Sequence, residues 1–261
     1  MEVCVLASGS SGNCIYVAAA GTRLLIDFGL SARDVTARLR EIGRSLDEID
    51  AVLCTHDHAD HCKGLTVAAR RHPFRLLANG GTAEAVERAD RSGGSPPHWE
   101  MFENGQAVTV GDIAVESFSV PHDAADTVGF VLSHGRTRLG LCTDLGFATA
   151  LVRRRLSGCD ALILEFNHDV EMVRQSDRPP SLKRRVLGRF GHLSNDDAAA
   201  LLGEVASARL QVVFPAHLSE DCNREHLAEQ AARAALDRAG CGATRLVMTA
   251  RHRPTGLVAL A

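Results

Sequence analysis

The chain has 261 residues, of which 45% are hydrophobic and 23% are charged, as in ordinary globular proteins. Its formal net charge of −3 provides no overall attraction for nucleic acid, and no apolar run approaches the roughly 20 residues of a membrane-spanning helix. The N-terminus lacks the basic and cleavable segments of a signal peptide, and the eight cysteines lack the paired spacing of a disulfide framework. These features predict a cytoplasmic protein with reduced thiols and no membrane association.

Apolar runs with strand-like and helix-like periodicity alternate along the chain. In the first part, we expect strands at 3–7, 14–18, 23–27, 49–54, 75–78, 106–110 and 113–119, and helices at 31–42, 65–71 and 82–91. In the second part, we expect strands at 127–133, 137–142, 160–165 and 210–214, helices at 147–156, 196–207 and 224–238, and a final hairpin at 244–249 and 256–260. The alternation predicts one α/β domain over residues 1–261, with layered sheets and a site at one rim.

The segment 55–64 concentrates side chains that bind metals. Three histidines and two aspartates fall within six positions, directly after a predicted buried strand. Imidazole nitrogen and carboxylate oxygen suit zinc, manganese and iron. On an extended loop His56 and His58 point the same way, whereas Asp60 and His61 lie past the turn and face a second point. The spacing therefore favours a loop that serves two metal ions over an ordinary polar surface loop.

Three further polar residues, His122, Asp144 and His217, each follow a predicted strand. Each alone would be an ordinary polar residue, but with the first loop they complete the ligands of a two-metal site. The hypothesis assigns one metal to His56, His58 and His122, the other to Asp60, His61 and His217, and the bridging position to Asp144.

The order His-x-His-x-Asp-His at 56–61, followed by these later ligands, resembles the metallo-β-lactamase superfamily over nearly the whole chain. The resemblance implies an αβ/βα four-layer sandwich with a dinuclear metal site at the rim between two mixed sheets. It also implies the same ligand roles for the residues assigned above. An aspartate rather than a cysteine at 144 favours phosphodiesterases, nucleases and thioester hydrolases over true β-lactamases.

Within the superfamily, the chain resembles the YycJ/WalJ-like branch. The similarity lies in the segments 7–14 (ASGSSGNC), 164–172 (LEFNHDVEM), 191–195 (GHLSN) and 217–220 (HLSE), although Phe166 stands where a small residue is expected. That branch is associated with 5′→3′ exodeoxyribonuclease activity. The resemblance therefore implies a metal-dependent phosphodiester hydrolase that acts on DNA ends, duplex or single-stranded.

The predicted chemistry uses the two metals and one acid–base pair. Two ions about 3.5–4 Å apart lower the pKa of a bridging water, and the resulting hydroxide is the expected nucleophile. His192, oriented by Glu165, is the candidate donor of a proton to the leaving 3′ oxygen, because the pair resembles the Glu/His arrangement of tRNase Z-like enzymes. Asp60 is counted with these two residues as catalytic, in addition to its role as a ligand.

Candidate substrate contacts lie outside the ligand set. The Ser/Gly loop at 8–13 can bring backbone N–H groups near an anion, and Ser10 and Asn13 within it are predicted to contact substrate. His168 is predicted to contact a substrate phosphate, with support of the ligands as the alternative role.

Several questions stay open at the level of sequence. The expected cofactors are two divalent ions, zinc or manganese, with iron as a third option. The alternative functions are a phosphodiesterase of small cyclic substrates, a glyoxalase-II-like thioesterase or lactonase, and a regulatory protein without turnover. A thiolate leaving group needs little protonation, so the pair His192 and Glu165 favours a phosphodiester. The sequence does not predict an oligomeric state.

Overall fold

Several strands are apolar at every position because both of their faces are covered. β2 (Cys14–Ala19), β11 (Ala161–Glu165) and β12 (Val212–Ala216) are buried along their whole length. A strand exposed on one side would alternate apolar and polar residues, so continuous burial places each sheet between two other layers. The computed structural model, which describes residues 1–261, has this arrangement.

The remaining elements are short. The other strands are β1 (Glu2–Ala7), β3 (Thr22–Ile26), β4 (Ala51–Leu53), β5 (Arg75–Asn79), β6 (Trp99–Phe102), β7 (Ala107–Val110), β8 (Ile113–Ser119), β9 (Val128–His134), β10 (Thr137–Cys142), β13 (Arg245–Leu246) and β14 (Val258–Ala259). The helices are α1 (Ala32–Glu41), α2 (Ala59–Cys62), α3 (Leu65–Ala69), α4 (Gly80–Ala89), α5 (Ala150–Leu156), α6 (Val170–Gln175), α7 (Pro180–Val186), α8 (Asn195–Val205) and α9 (Glu225–Arg238), with a 3-10 turn at Leu46–Glu48. No helix combines the length and apolar character that crossing a bilayer requires.

The two seven-stranded sheets share one pattern of strand directions. Their orders are β14-β1-β2-β3-β4-β5-β6 and β7-β8-β9-β10-β11-β12-β13. In each order the first three pairs are antiparallel and the last three are parallel. The sequence has no internal repeat that would predict this similarity between the two sheets.

Three hydrophobic clusters separate the layers. The largest contains 27 buried residues from both sheets, Phe130 and Phe214 among them, and therefore lies between the sheets. A second cluster lies under α1, α3 and α4, and a third lies under α5, α8 and α9. Helices thus cover the outer face of each sheet, and the predicted four-layer fold is confirmed.

The predicted C-terminal hairpin is wrong. β13 pairs in parallel with β12 in the second sheet, whereas β14 pairs antiparallel with β1 in the first. The intervening chain crosses between the sheets, and Thr255 exchanges hydrogen bonds with Val5 on the way. Two short apolar runs around a turn predict a hairpin, but here each run finds a free sheet edge as its partner.

Other differences concern boundaries. The strand predicted at 210–214 extends through Pro215 and Ala216, and the helix predicted at 147–156 begins only at Ala150, after the N-cap Thr149. β6 was not predicted, because it has only four residues after a proline-containing loop.

The carboxyl ends of six strands meet at one rim of the sandwich. β3 and β4 are parallel neighbours in the first sheet, as are β10, β11 and β12 in the second. β8 runs in the same direction as β10, since both are antiparallel to β9. The loops after these strands carry the polar residues singled out from the sequence.

Candidate metal centre

At this rim, three polar residues lie at sharp turns of the backbone just after a strand. Asp27, Asp144 and His217 follow β3, β10 and β12, and have φ values of 61°, 56° and 57°. They are three of the four non-glycine residues with positive φ, a conformation that costs free energy and concentrates at functional sites.

The first predicted trio of ligands comes together. His56 is fully buried and its Nε2 has no hydrogen-bond partner, while the Nδ1 of His58 lies 3.2 Å from the Nε2 of His122. His58 is the N-cap of the short helix α2, so its backbone is still extended, as the spacing argument required. All three side chains offer a nitrogen within 4.8 Å of the other two.

The second trio also comes together. The Oδ2 of Asp60 lies 3.5 Å from the Nε2 of His61 and 3.3 Å from the Nε2 of His217. Asp144 lies between the trios, with Oδ2 3.1 Å from the Nε2 of His61 and Oδ1 3.6 Å from the Nε2 of His122.

This geometry fits divalent metal ions. A tetrahedral ion with ligand bonds of 2.0–2.1 Å spaces its ligand atoms about 3.3 Å apart, close to the observed separations of 3.1–3.6 Å. The Nε2 of His56 and the Oδ2 of Asp144 are buried without a hydrogen-bond partner, although such atoms normally have one. A shared cation explains why these atoms face one another, and the donor set therefore supports divalent metal binding.

The ring nitrogens that face away from the centre have fixed acceptors. The Nδ1 of His61 donates to Asp27 at 2.7 Å, and that of His217 donates to Glu165 at 2.9 Å. The Nδ1 of His122 donates to the carbonyl of Gly191 at 3.0 Å. Such contacts set the tautomer and orientation of ligating histidines.

Asp27 is a candidate site residue that the sequence analysis did not identify, and its carboxylate contacts the ring of His61. Its carboxylate also accepts from the backbone N–H and the hydroxyl of Thr55, so it connects the end of β3 to the loop after β4. The only sequence indication is an acidic residue directly after a buried strand, the feature that had singled out Asp144.

The close-packed acids and imidazoles change one another's pKa values. Burial alone would raise the pKa of Asp60, but hydrogen bonds from His217 and His61 hold it well below its usual range. Burial alone would lower the pKa of His217, but Asp144 and hydrogen bonds to Asp60 and Glu165 raise it to about 10. Without a metal ion, His217 therefore holds a proton at neutral pH, whereas burial lowers the pKa values of His56 and His122.

Glu165 and His192 form the predicted pair. The Nδ1 of His192 lies 3.0 Å from Oε1 of the fully buried Glu165. Burial alone would raise the pKa of Glu165, but His192 and hydrogen bonds from His192 and His217 lower it to about 2. Glu165 is therefore an anion that accepts from Nδ1, and the imidazole of His192 lines the cleft.

A cleft of about 470 Å³ opens over the centre. Its wall includes Ser10, one of the predicted substrate contacts. Two arginines, Arg178 and Arg185, also line it. Arg185 belongs to the basic run 183–185 on α7, a pattern that is usually found on a solvated helix face. The structure instead brings this charge to the candidate ligands.

The structure does not bring Asn13 and His168 to the cleft wall. Asn13 is 3% exposed, and its Nδ2 donates to the Oδ2 of Asp60 at 3.2 Å, so it supports a candidate ligand. His168 is 2% exposed, with an Nδ1 that lacks a partner, and burial lowers its pKa. Both side chains lie behind the surface that a substrate would touch.

Comparison with known proteins agrees with this geometry. The family model described as a beta-lactamase superfamily domain matches residues 22–217. Exodeoxyribonuclease YycJ of Bacillus anthracis is 38% identical over 239 residues, covering 91% of this chain and 90% of that protein. Exodeoxyribonuclease WalJ of Streptococcus pneumoniae serotype 2 (strain D39) is 37% identical over 227 residues, covering 86% and 84%.

Similarity to solved structures concerns the fold alone. Zn²⁺-bound PqqB from Methylobacterium extorquens matches with a TM-score of 0.71 and 20% identity, covering 100% of both chains. A diphosphatase of the PhnP family matches with a TM-score of 0.69 and 17% identity, covering 100% of this chain and 98% of that chain. The family model and the two related sequences show that the chain belongs to the beta-lactamase superfamily and, within it, to the branch of YycJ and WalJ.

Proposed function

We propose that the chain is a divalent-metal-dependent nuclease, and specifically an exodeoxyribonuclease that degrades DNA from 5′ to 3′. The observation that carries the proposal is the 37–38% identity to two proteins named exodeoxyribonucleases, over 86–91% of this chain. The complete set of candidate ligands at the rim supports it, because an inactive relative would have no reason to keep every ligand in place.

We further propose that the rim holds two ions, zinc or manganese, with iron as a third option. The two trios and the carboxylate between them support this number. The donors are nitrogen and oxygen without thiolate, which suits these metals. When bound, such ions lower the pKa of coordinated water and neutralise charge on phosphate oxygens.

The remaining residues have distinct roles in this proposal. His192 lines the cleft and donates a proton from Nε2 to the leaving 3′ oxygen, and Glu165 fixes the orientation of the ring through Nδ1. Arg178 and Arg185 provide positive charge for phosphates on either side of the cleaved bond. The relatives and the pair His192 and Glu165 do not favour a thioesterase, a lactonase or a phosphodiesterase of small cyclic substrates.

The DNA substrate and its polarity can be tested together. With Mn²⁺, linear duplex DNA labelled at its 5′ ends is expected to release labelled mononucleotide early, whereas DNA labelled at its 3′ ends keeps its label until late. His58→Ala removes a candidate ligand and is expected to lower the rate at least about 100-fold. His226→Ala, which changes an exposed histidine on α9, is the matched control.

Three other outcomes would contradict the proposed activity, substrate or polarity. Hydrolysis of bis(p-nitrophenyl) phosphate without degradation of DNA would move the substrate to a small phosphodiester. Loss of the 3′ label first would reverse the polarity. Inactivity on both substrates with Mn²⁺ and with Zn²⁺ would favour a regulatory protein.

Asp27→Asn is expected to weaken metal binding about 10- to 100-fold, because the amide no longer accepts the N–H of His61 as an anion. Competition of the metal-free protein with a chromophoric zinc chelator measures the dissociation constant. Asp196→Asn, at an exposed position on α8, is the matched control. Equal affinity of Asp27→Asn and the unchanged protein would contradict the positioning role of Asp27.

Metal binding is expected to release protons at pH 7 and to weaken as the pH falls. The pKa of His217 in the metal-free protein is about 10, so its ring is protonated at pH 7, whereas a metal ion binds only the neutral ring. Raising the pH removes the competing proton, and affinity should rise about tenfold per pH unit for each proton released. Calorimetric titrations in buffers with different ionisation enthalpies count these protons. A heat of binding that is independent of the buffer would refute the prediction.

His192→Ala is expected to slow DNA cleavage about 10²- to 10⁴-fold, since the 3′ alkoxide leaves poorly without a proton. Cleavage of bis(p-nitrophenyl) phosphate should fall far less, because p-nitrophenolate is a stable leaving group. Steady-state kinetics on both substrates, with metal content measured for each variant, separates the two cases. Equal losses on both substrates would show that His192 is needed for the shape of the site and not as an acid.

A further inference from the structure

The structure has a second cleft, which is apolar, in contrast to the charged cleft over the metal centre. It has a volume of about 610 Å³, and its lining includes Phe147, Leu151, Arg189 and Phe190. Phe190 is 59% exposed and Leu151 is 39% exposed, and these are two of only four large hydrophobic residues on the surface. Exposed apolar side chains that gather in a concave site of this size indicate ligand binding.

The loops that build the apolar cleft also build the metal centre. In each of the segments 121–122, 144–147 and 190–192, one end lines the apolar cleft and the other is a candidate ligand or the candidate acid. A three-residue separation spans at most about 11 Å. Adjacent nucleotides of one strand could therefore occupy both clefts.

Backbone contacts hold these loops against one another. The N–H of Gly146 donates to the carbonyl of Pro121 at 2.8 Å, and a Cβ at this glycine would lie 2.1 Å from the carbonyl oxygen of Arg189. The ring of His122 donates to the carbonyl of Gly191. The apolar cleft is thus in fixed register with the metal centre.

The chemistry of the cleft suits a nucleobase. The guanidinium carbon of Arg189 lies 4.5 Å from the centre of the Phe147 ring, and the edge of the cleft is therefore cationic. Aromatic rings beside arginines are the means by which proteins bind single strands of nucleic acid, with bases on the rings and phosphates near the cations. Segment 183–185, which precedes Arg189, is also basic, and its Arg185 lines the charged cleft, where it pairs with Asp123. Cationic side chains at and near the apolar cleft complement a polyphosphate better than an apolar protein surface.

We infer that Phe190 and Phe147, with Arg189, form a stacking subsite for a nucleobase of the strand whose phosphodiester lies at the metal centre. The inference rests on the proposed nuclease function and specifies how that site holds its substrate. Stacking tolerates every base, since each has a π face, and this suits an enzyme that must accept each nucleotide in turn.

The test is a double-mutant cycle in which the ring of Phe190 and one base of the substrate are removed, separately and together. Oligonucleotides with one abasic position among the first four nucleotides from the 5′ end are digested with Mn²⁺ by the unchanged protein and by Phe190→Ala. At the nucleotide position that occupies the subsite, removing the base or removing the Phe190 ring should each lower kcat/KM about 5- to 150-fold. Removing both should lower kcat/KM little further than either change alone. Phe190→Trp should retain activity on the intact strand. Met101→Ala, at a residue 64% exposed on β6, is the matched control and should cleave like the unchanged protein.

Other outcomes overturn the inference. Full activity of Phe190→Ala on intact DNA would do so, as would a loss that is the same with and without the base. A change of oligomeric state in Phe190→Ala, measured by size exclusion with light scattering, would make the cleft a protein interface. If the unchanged protein cleaves no DNA, both the proposed function and the subsite are wrong. If the unchanged protein cleaves DNA and Phe190→Ala cleaves it equally well, only the subsite is wrong.

Discussion

The carboxylate of Glu165 holds the second-sheet side of the metal centre together. It is fully buried at the end of β11, where an unpaired charge would cost several kcal/mol. Five donors converge on it, namely the backbone N–H groups of Asp144, Leu145 and Leu193 and the rings of His192 and His217. These donors belong to three separate loops, so one side chain sets the relative positions of a candidate bridging ligand, a terminal ligand and the candidate acid. Asp27 has the corresponding place in the first sheet, between Thr55 and His61.

The concentration of negative charge explains why the centre requires a cation. Four carboxylates, those of Asp27, Asp60, Asp144 and Glu165, lie among the histidines of one rim. Two unit charges 4 Å apart interact by about 4 kcal/mol at an effective dielectric constant of 20, so the cluster must be offset by protons or metal ions. Protonated His217 has its pKa raised to about 10, and its contribution to stability is complete below its unfolded pKa and lost as the pH rises through about 10. Once that proton is lost at high pH, the carboxylate cluster depends on a bound metal ion to offset its negative charge.

The sequence predicts the parts of this site that depend on local spacing. The ligands at 56–61 lie on one loop, where backbone geometry alone determines which side chains point together. His122, Asp144 and His217 were predictable because each follows a buried strand, and parallel strands end at one rim. Asp27 follows a strand too, but its partner is the far nitrogen of His61, a contact that no spacing reveals. The prediction of a final hairpin was wrong for a similar reason. The sheet edge that a short strand joins depends on the fold of the whole chain and not on the strand's own residues.

Segment 185–192 joins the two clefts and explains how recognition could affect chemistry. Arg185 lines the charged cleft and Phe190 the apolar one, and a Cβ at Gly191 would lie 2.2 Å from the carbonyl oxygen of Arg185. The backbone is thus folded tightly on itself directly before His192. A base held on Phe190 would fix its own phosphate relative to the imidazole two residues away. Binding energy that aligns the leaving oxygen with the acid acts in the transition state more than in the ground state. The aromatic contact should consequently contribute to kcat and not only to KM.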